Sequence, residues 1–232
     1  MNDPDVVVIG SGPNGLVAAA TLARQGLRVM VLEANPDRPG GAVGSGETTV
    51  PGFTHDLGAG FFPLARVSNA YRDLPIEQHG VEWLSAEVES VHPALDGSSA
   101  SILRRDRREG ARADHFGSEA DTATWNRLLD VHAMHEPALF RALLSPLPGI
   151  GNWLGIGLLR LLKLGSYFLS TSGGLSRRWF ESEAARRVLP GLALHADLGP
   201  SDPLGGATGY VLTFSAGTVG YPVPRGGAQR IT

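Results

Sequence analysis

The sequence of 232 residues contains no cysteine and a single lysine, Lys163. Without cysteine the chain can have no disulfide, thiolate metal site or cysteine nucleophile. Aromatic residues make up 7% of the chain and the formal net charge is −3. Because the chain lacks an overall positive charge, we predict no nucleic-acid partner. The first residues, MNDPD, are acidic and polar and lack the pattern of a secretory signal, so we expect a cytoplasmic protein.

The most informative stretch is VVVIGSGPNGLVAAATLARQGLRVMVLEA, residues 6–34. Its first apolar run ends at Gly10 and is typical of a strand that is buried on both faces of a parallel sheet. An alanine-rich segment that stops at Gly26 predicts a helix, and LRVMVLEA predicts a second strand. The order strand, glycine turn, helix and strand is typical of a Rossmann-like dinucleotide-binding unit.

Each glycine of the turn has a physical task in such a unit. Gly10 permits the tight turn, Gly12 lets a pyrophosphate approach the backbone, and Gly15 lets the helix pack closely on the strand. The first turn of the helix offers free N–H groups and a partial positive charge to the phosphates. The predicted phosphate-binding residues are Gly10, Ser11, Gly12, Pro13, Asn14 and Gly15.

An acidic residue closes the stretch. Glu33 lies 18 positions after Gly15, at the end of the second predicted strand. A carboxylate at this place accepts hydrogen bonds from ribose hydroxyls and disfavours a 2′-phosphate. A glycine-rich turn in an ordinary α/β protein is the alternative explanation. Because both strands, the helix and the acid are in register, we predict dinucleotide binding, with Glu33 and Ala34 on the ribose side.

The next segment bears on the choice between NAD and FAD. It contains a Gly40-Gly41 pair, a Pro-Gly-Phe turn at 51–53, and Asp-Leu-Gly-Ala at 56–59. With the first turn and Glu33, these motifs make the sequence similar to the flavoprotein family of phytoene desaturases and carotenoid oxidoreductases, which is related to the flavin amine oxidases. The stretch ETTVPGFTHDLGAG predicts a hairpin over the Pro-Gly turn.

The resemblance implies FAD as the cofactor, with the glycine pair close to its pyrophosphate and ribityl chain. Many relatives have arginine directly after the pair, where this chain has Ala42, so contact would fall to backbone amides. A flexible loop and a nicotinamide cofactor remain the alternatives. The further cofactor-binding residues that the resemblance implies are Gly40, Gly41, Ala42, Gly58 and Ala59.

The resemblance also implies an α/β fold class and a division of the chain. Residues 1–117 are expected to form the N-terminal part of a Rossmann-like FAD domain, and 118–215 a mainly helical substrate-side region. Residues 216–232, with Pro-Arg-Gly-Gly at 224–227, are expected to return to the FAD domain. The match covers only the first half of a full family member, so we expect a fragment or a shortened protein.

The expected function is that of an FAD-dependent oxidoreductase that moves a hydride from a C–H bond of a small apolar substrate to flavin. A non-catalytic dinucleotide-binding module and a flavin amine oxidase-like enzyme are the alternatives. No acid–base pair stands out, so the catalytic residues are not assigned; we expect structural roles for His55, Asp56 and His195. His132 and His135 have metal-ligand spacing, but because no third ligand is evident we expect no metal.

The middle of the chain has few motifs. RRDRREGAR at 104–112 is interpreted as a solvated charged face. From Ser118 the pattern is helical, and residues 142–159 have no charge but contain prolines and glycines. We expect a loop and then an amphipathic or buried helix there. The alternative is a peripheral membrane contact through 142–169, with Arg160 and Lys163 at the lipid headgroups. The oligomeric state stays open.

Overall fold

The computed structural model describes residues 3–107, 116–146 and 149–232. The chain divides into two compact units. The first contains the residues up to Ser85 together with Pro222–Thr232, and the second contains Ala86–Tyr221. Part of the charged run predicted to be a solvated face, residues 108–112, lies outside the described ranges.

The first unit opens with the predicted strand, turn, helix and strand. Strand β1 (Val6–Ile9) pairs in parallel with β2 (Val29–Leu32), and α1 (Pro13–Arg24) connects them. Helix α1 has Gly12 at its N-cap and Pro13 at its first position, where the missing N–H has no intrahelical partner to lose. The helix ends before Gly26, whose φ of 90° is left-handed and suits glycine.

The parallel sheet is covered on one face, not on both. Side chains of β1 and β2 alternate between half-buried and exposed, and Ile9 is 86% exposed. Val8 lies on the side of α1, close to Gly15. The prediction of strands buried on both faces is therefore wrong, because within the described residues the sheet has two strands and α1 packs on one side.

Four short strands and one short α-helix follow in the first unit. Strands β3 (Ser45–Gly46) and β4 (His55–Asp56) form the predicted antiparallel hairpin, with Gly52 at φ 86° in its turn. Helix α2 (Asn69–Asp73) follows. Strand β5 (Trp83–Leu84) pairs with β8 (Val223–Pro224), which ties the end of the chain to this unit.

The second unit is mainly helical. It begins with the hairpin of β6 (Ser90–Pro93) and β7 (Ser99–Ile102), which turns at the predicted Asp96-Gly97. Six helices follow: α3 (Glu119–Leu143), α4 (Ile150–Leu154), α5 (Leu158–Phe168), α6 (Ser172–Trp179), α7 (Glu183–Ala193) and α8 (Gly205–Thr218), counted over the described part of the unit.

Aromatic side chains form the centre of the second unit. The rings of Phe116 and Trp125 stack with centroids 4.7 Å apart, and Phe180 and Phe214 contact this pair. All four side chains are fully buried. Because Phe116 packs among helices, the segment before α3 belongs to the helical unit. The observed division at Ser85 is therefore earlier than the expected domain boundary at 117.

Contacts between the β6–β7 hairpin and α7 explain why the hairpin belongs to the second unit. A Cβ on Gly191, in α7, would lie 2.9 Å from the His92 ring, so the hairpin approaches this helix closely. Arg187 of the same helix donates a hydrogen bond to the carbonyl of Pro93 at 3.3 Å. These contacts fix the hairpin on α7.

The uncharged segment of the middle region is neither a spanning helix nor a buried one. In the ranges that the structure describes, no helix is both long and apolar enough to cross a bilayer. Tyr167 of α5 is buried, whereas Leu158, Leu159 and Leu162 are exposed. Of the two expected forms, a fully buried helix is thus wrong for the outer side, because only the face with Tyr167 packs on the core.

Candidate dinucleotide-binding site

The glycine turn between β1 and α1 has the geometry that its residues predict. Gly10 has a φ of 95°, in the left-handed region where other residues are strained. Gly15 lies so close to the turn that an added Cβ would overlap the carbonyl oxygen of Gly10. The first and third glycines are therefore required by the fold itself.

Gly12 differs from the other two because the space beside it is open. A Cβ added to Gly12 would meet no protein atom within 4 Å. The backbone amides of Gly12, Asn14 and Gly15 have no hydrogen-bond partner among the described residues. The first turn of α1 also contains no acidic residue. Unpaired amides at a helix N-terminus, beside an open position, form a cradle suited to an anion such as a pyrophosphate.

Glu33 is hydrogen-bonded to the turn. One carboxylate oxygen, Oε2, accepts hydrogen bonds from the amide of Ser11 at 2.7 Å and from its hydroxyl at 2.5 Å. The other, Oε1, accepts from the amide of Asn35 at 2.9 Å. A carboxylate has about four acceptor positions, so these three bonds leave Oε1 able to accept one more, as from a ribose hydroxyl. The structure thus places Glu33 beside the turn.

These hydrogen bonds hold the carboxylate in its charged form. The hydroxyl of Ser11, with the amides of Asn35, Ser11 and Ala34, lowers the pKa of Glu33 from its ordinary value of 4.5 to about 2. Donors that bond the ionised form favour it over the protonated form. Glu33 is therefore an acceptor, and not a hydrogen-bond donor, at any physiological pH.

The glycine pair packs directly on the first turn. The amide of Gly40 donates to the carbonyl of Ser11 at 3.0 Å and approaches its hydroxyl at 3.2 Å. A Cβ on Gly41 would lie 3.2 Å from Cα of Gly12, and φ at Gly40 and Gly41 is 109° and 53°. Ser11, which is 2% exposed, therefore joins the turn, the acid and the glycine pair in one structure.

The remaining predicted cofactor residues lie behind the glycine pair. The amide of Ala59 donates to the carbonyl of Ala42 at 2.8 Å. A Cβ on Gly58 would lie 2.5 Å from the same carbonyl oxygen. Gly58 and Ala59 thus support the loop of Ala42 through the backbone. Ala34 is exposed next to Glu33.

The end of the chain is fixed to the same loop system. Asp56 accepts hydrogen bonds from the hydroxyl of Ser45 and from the amide of Ala228, both at 2.7 Å. The amide of Gln229 donates to the Ser45 hydroxyl at 2.9 Å. Gly227, with φ 95°, packs on Ser45. These bonds place 222–232 against the β3–β4 hairpin.

A cavity of about 580 Å³ lies along α1 and is separate from the amide cradle. Apolar side chains line most of it, with Arg24 and His79 among the polar residues. Its lining includes Pro13 but none of Gly12, Glu33 or Gly41. The cavity therefore does not coincide with the predicted phosphate site.

The structure also shows where three other histidines considered from the sequence lie. His55 contacts the hydroxyl of Thr49 at 2.7 Å within the hairpin, and His195 is exposed after α7. His132 is buried and lies 2.9 Å from the hydroxyl of Tyr210 and 3.4 Å from Glu136. No group of three possible metal ligands occurs within the described ranges.

Two features of the site have no signal in the local sequence. The bond from Ser11 to Glu33 depends on the pairing of β1 with β2, which brings residues 22 positions apart together. Arg38 places a guanidinium against Gly44, and its buried Nη1 atom has no hydrogen-bond partner in the described structure. In the sequence, Arg38 is only a cation two residues before the glycine pair, and nothing there indicates that its Nη1 atom is buried.

Comparison with known proteins shows which families and structures the chain is similar to. Residues 8–74 match the family described as NAD(P)-binding Rossmann-like domain. Over 98 residues the chain is 37% identical to a limonene dehydrogenase protein of Castellaniella defragrans, an alignment that covers 42% of this chain and 17% of that protein. Over 239 residues it is 28% identical to phytoene desaturase of Cercospora nicotianae, which covers 98% of this chain and 36% of that protein. The predicted resemblance to phytoene desaturases is confirmed.

The solved structures show the same fold. Putrescine oxidase bound to putrescine matches with a TM-score of 0.58 at 18% identity, over 98% of this chain and 47% of that one. The α/β, Rossmann-like fold class predicted from the sequence is thereby confirmed. The chain spans less than half the length of each of these three proteins.

Proposed function

We propose that this chain binds FAD at the turn of residues 10–15 and acts in an FAD-dependent oxidoreductase that dehydrogenates an apolar substrate. The observation that supports this most is the open position at Gly12, surrounded by amides with no partner in the described structure. Such a cradle fits two linked phosphates.

The residues of the site have separate tasks in this proposal. The amides of Gly12, Asn14 and Gly15 bind the pyrophosphate, with the positive end of α1 behind them. Glu33 binds a ribose hydroxyl with the free acceptor position on Oε1. Ser11 positions Glu33 through its amide and hydroxyl. Gly41 keeps the second loop close to Gly12 without a side chain in between.

FAD, when bound, supplies a two-electron acceptor for the hydride. A substrate that gives up a hydride and, from the adjacent carbon, a proton to solvent gains a C=C bond. Two relatives are named limonene dehydrogenase and phytoene desaturase, and limonene and phytoene are hydrocarbons. These names support an apolar substrate.

Reduction of the FAD-loaded chain by candidate substrates tests this proposal. Dithionite is the positive control for reduction. Limonene or phytoene, presented in detergent without oxygen, is expected to bleach the flavin band. Putrescine is the matched amine substrate and is expected to leave the band unchanged. Bleaching by putrescine alone would favour the amine oxidase alternative. FAD binding without bleaching by any of the three would favour a dinucleotide-binding module without catalysis.

A further inference from the structure

The outer side of α4 and α5 exposes large apolar side chains at a density unusual for a surface. Leu159 is 82% exposed and Leu169 is 80% exposed. Neighbouring apolar residues of the segment are also more than half exposed. The exposed residues are Ile150, Leu154, Leu158, Leu159, Leu162 and Leu169, and we refer to them as the leucine face. Contiguous apolar patches of this kind mark interaction sites.

The leucine face lies opposite the side of α5 that packs on the core. Leu164 and Phe168 contact the aromatic core, and Tyr167 is buried in it. Residues four apart on a helix lie above one another, so Leu158 and Leu162 form a ridge on the outer side. Helix α5 is thus apolar on both sides, although one side is enough to hold it on the unit. The packing of the described residues gives no reason for the outer leucines.

The charges around the leucine face have one sign. Lys163, four residues after Leu159, is exposed beside the leucines, and Arg160 is exposed on the same helix. Neither forms an ion pair among the described residues. In the sequence, residues 137–180 contain four arginines and the one lysine of the chain but no aspartate or glutamate. A surface that is apolar and cationic is complementary to a bilayer with anionic headgroups.

We propose that the leucine face inserts into the surface of an anionic membrane and attaches this chain to one leaflet. The leucines enter the boundary between headgroups and acyl chains, while Lys163 keeps its charged end at the phosphates and the positive charge of Arg160 adds to the attraction. A second copy of the chain is a poorer occupant, because a two-fold contact through this face would bring the same cations together without an acidic partner. This inference does not depend on FAD binding.

Flotation of the full chain with vesicles tests the proposal directly. Vesicles of phosphatidylcholine with a quarter phosphatidylglycerol are compared with phosphatidylcholine alone. The wild-type chain is expected to float with the anionic vesicles. The double variant that carries Leu159→Glu and Leu162→Glu is expected to stay in solution. Leu95→Glu is the matched control, since Leu95 is 90% exposed in the β6–β7 turn, and it is expected to float as the wild type does. Arg160→Gln and Lys163→Gln are each expected to weaken binding about five-fold.

Trp153 provides a second measurement that needs no charged variant. It lies in α4, so acyl chains brominated near the headgroup are expected to quench part of the tryptophan fluorescence of the wild type. Trp153→Phe is expected to lose that quenching. A wild-type chain that does not float, equal loss of flotation in Leu95→Glu, or unchanged quenching in Trp153→Phe would overturn the proposal. Dimerisation through the leucine face would also overturn it. The wild-type chain would then have twice the mass in solution of the double glutamate variant, and neither protein would bind vesicles.

Discussion

The Oε2 atom of Glu33 accepts hydrogen bonds from both the backbone amide and the hydroxyl of Ser11, at 2.7 and 2.5 Å. This pairing closes the glycine turn on the end of β2. Ser11 also accepts a hydrogen bond from the amide of Gly40 through its carbonyl. A serine inside the phosphate-binding turn therefore positions the acid that we assign to the ribose.

Replacing Ser11 by alanine removes one donor to Glu33 but keeps the backbone amide. Because the Ser11 hydroxyl is the largest cause of the lowered pKa of Glu33, Ser11→Ala is expected to raise that pKa from about 2 towards 4.5. Carboxyl-carbon NMR titration measures it. Ser98→Ala, which alters a hydroxyl bonded to Asp96 in the second unit, is the control and should leave Glu33 unchanged. No shift in Ser11→Ala would contradict the pairing.

The same pKa predicts how Glu33 affects stability as the pH changes. Its pKa is lowered in the folded chain, so its contribution is fully present above pH 4.5 and is lost as the pH falls towards 2. Urea unfolding of the wild type and Glu33→Gln is therefore expected to differ at pH 6 and to converge as the pH drops through that window. A difference that grows on acidification would show that the folded state does not favour the carboxylate.

Substitutions of two glycines of the turn are expected to have different effects, one on FAD binding and the other on stability. Gly12→Val should leave the free energy of unfolding nearly unchanged, because the space beside Gly12 is open, but it should abolish FAD binding by filling the phosphate position. Gly15→Ala should destabilise the fold by roughly 1–3 kcal/mol, since its Cβ would overlap the Gly10 carbonyl. Urea unfolding and FAD titration of both variants measure this. A Gly12→Val chain that binds FAD normally would show that the phosphates lie elsewhere.

In the second unit, the buried bond between His132 and Tyr210 is expected to contribute to stability. Tyr210→Phe leaves the Nδ1 atom of His132 unpaired inside the core, which costs about 1–3 kcal/mol. Tyr167→Phe is the matched control. Tyr167 is buried in the same core, and its hydroxyl has no hydrogen-bond partner in the described structure. Equal unfolding free energies for the two variants, measured in urea, would refute the contribution of this bond.

The local part of the site could be predicted from the sequence, because the backbone of the turn depends on residues close in the chain. Gly10 needs its left-handed φ and Gly15 its close approach whatever the rest of the molecule does. The strand, helix and strand order follows from apolar patterns of about ten residues each. The hairpin over Pro51-Gly52 is local in the same sense.

The long-range part could not be predicted in this way. The bond between Asp56 and the amide of Ala228 joins residues 172 positions apart. The pairing of β5 with β8 is similarly distant, and Phe116 joins the helical core only through contacts with Trp125 and Phe180. An apolar pattern also does not say which face of a segment is covered. For this reason Ile9 and Leu159, whose apolar surroundings in the sequence favour burial, are exposed in the structure.

Titration of the purified chain with FAD and, separately, with NAD measures whether the turn of residues 10–15 binds a flavin dinucleotide. We expect FAD to bind at least about ten-fold more tightly than NAD, giving a yellow protein that dithionite bleaches. Gly12→Val is expected to take up neither dinucleotide. A wild-type chain that stays colourless in excess FAD, or that binds NAD more tightly, would show that the turn does not bind FAD.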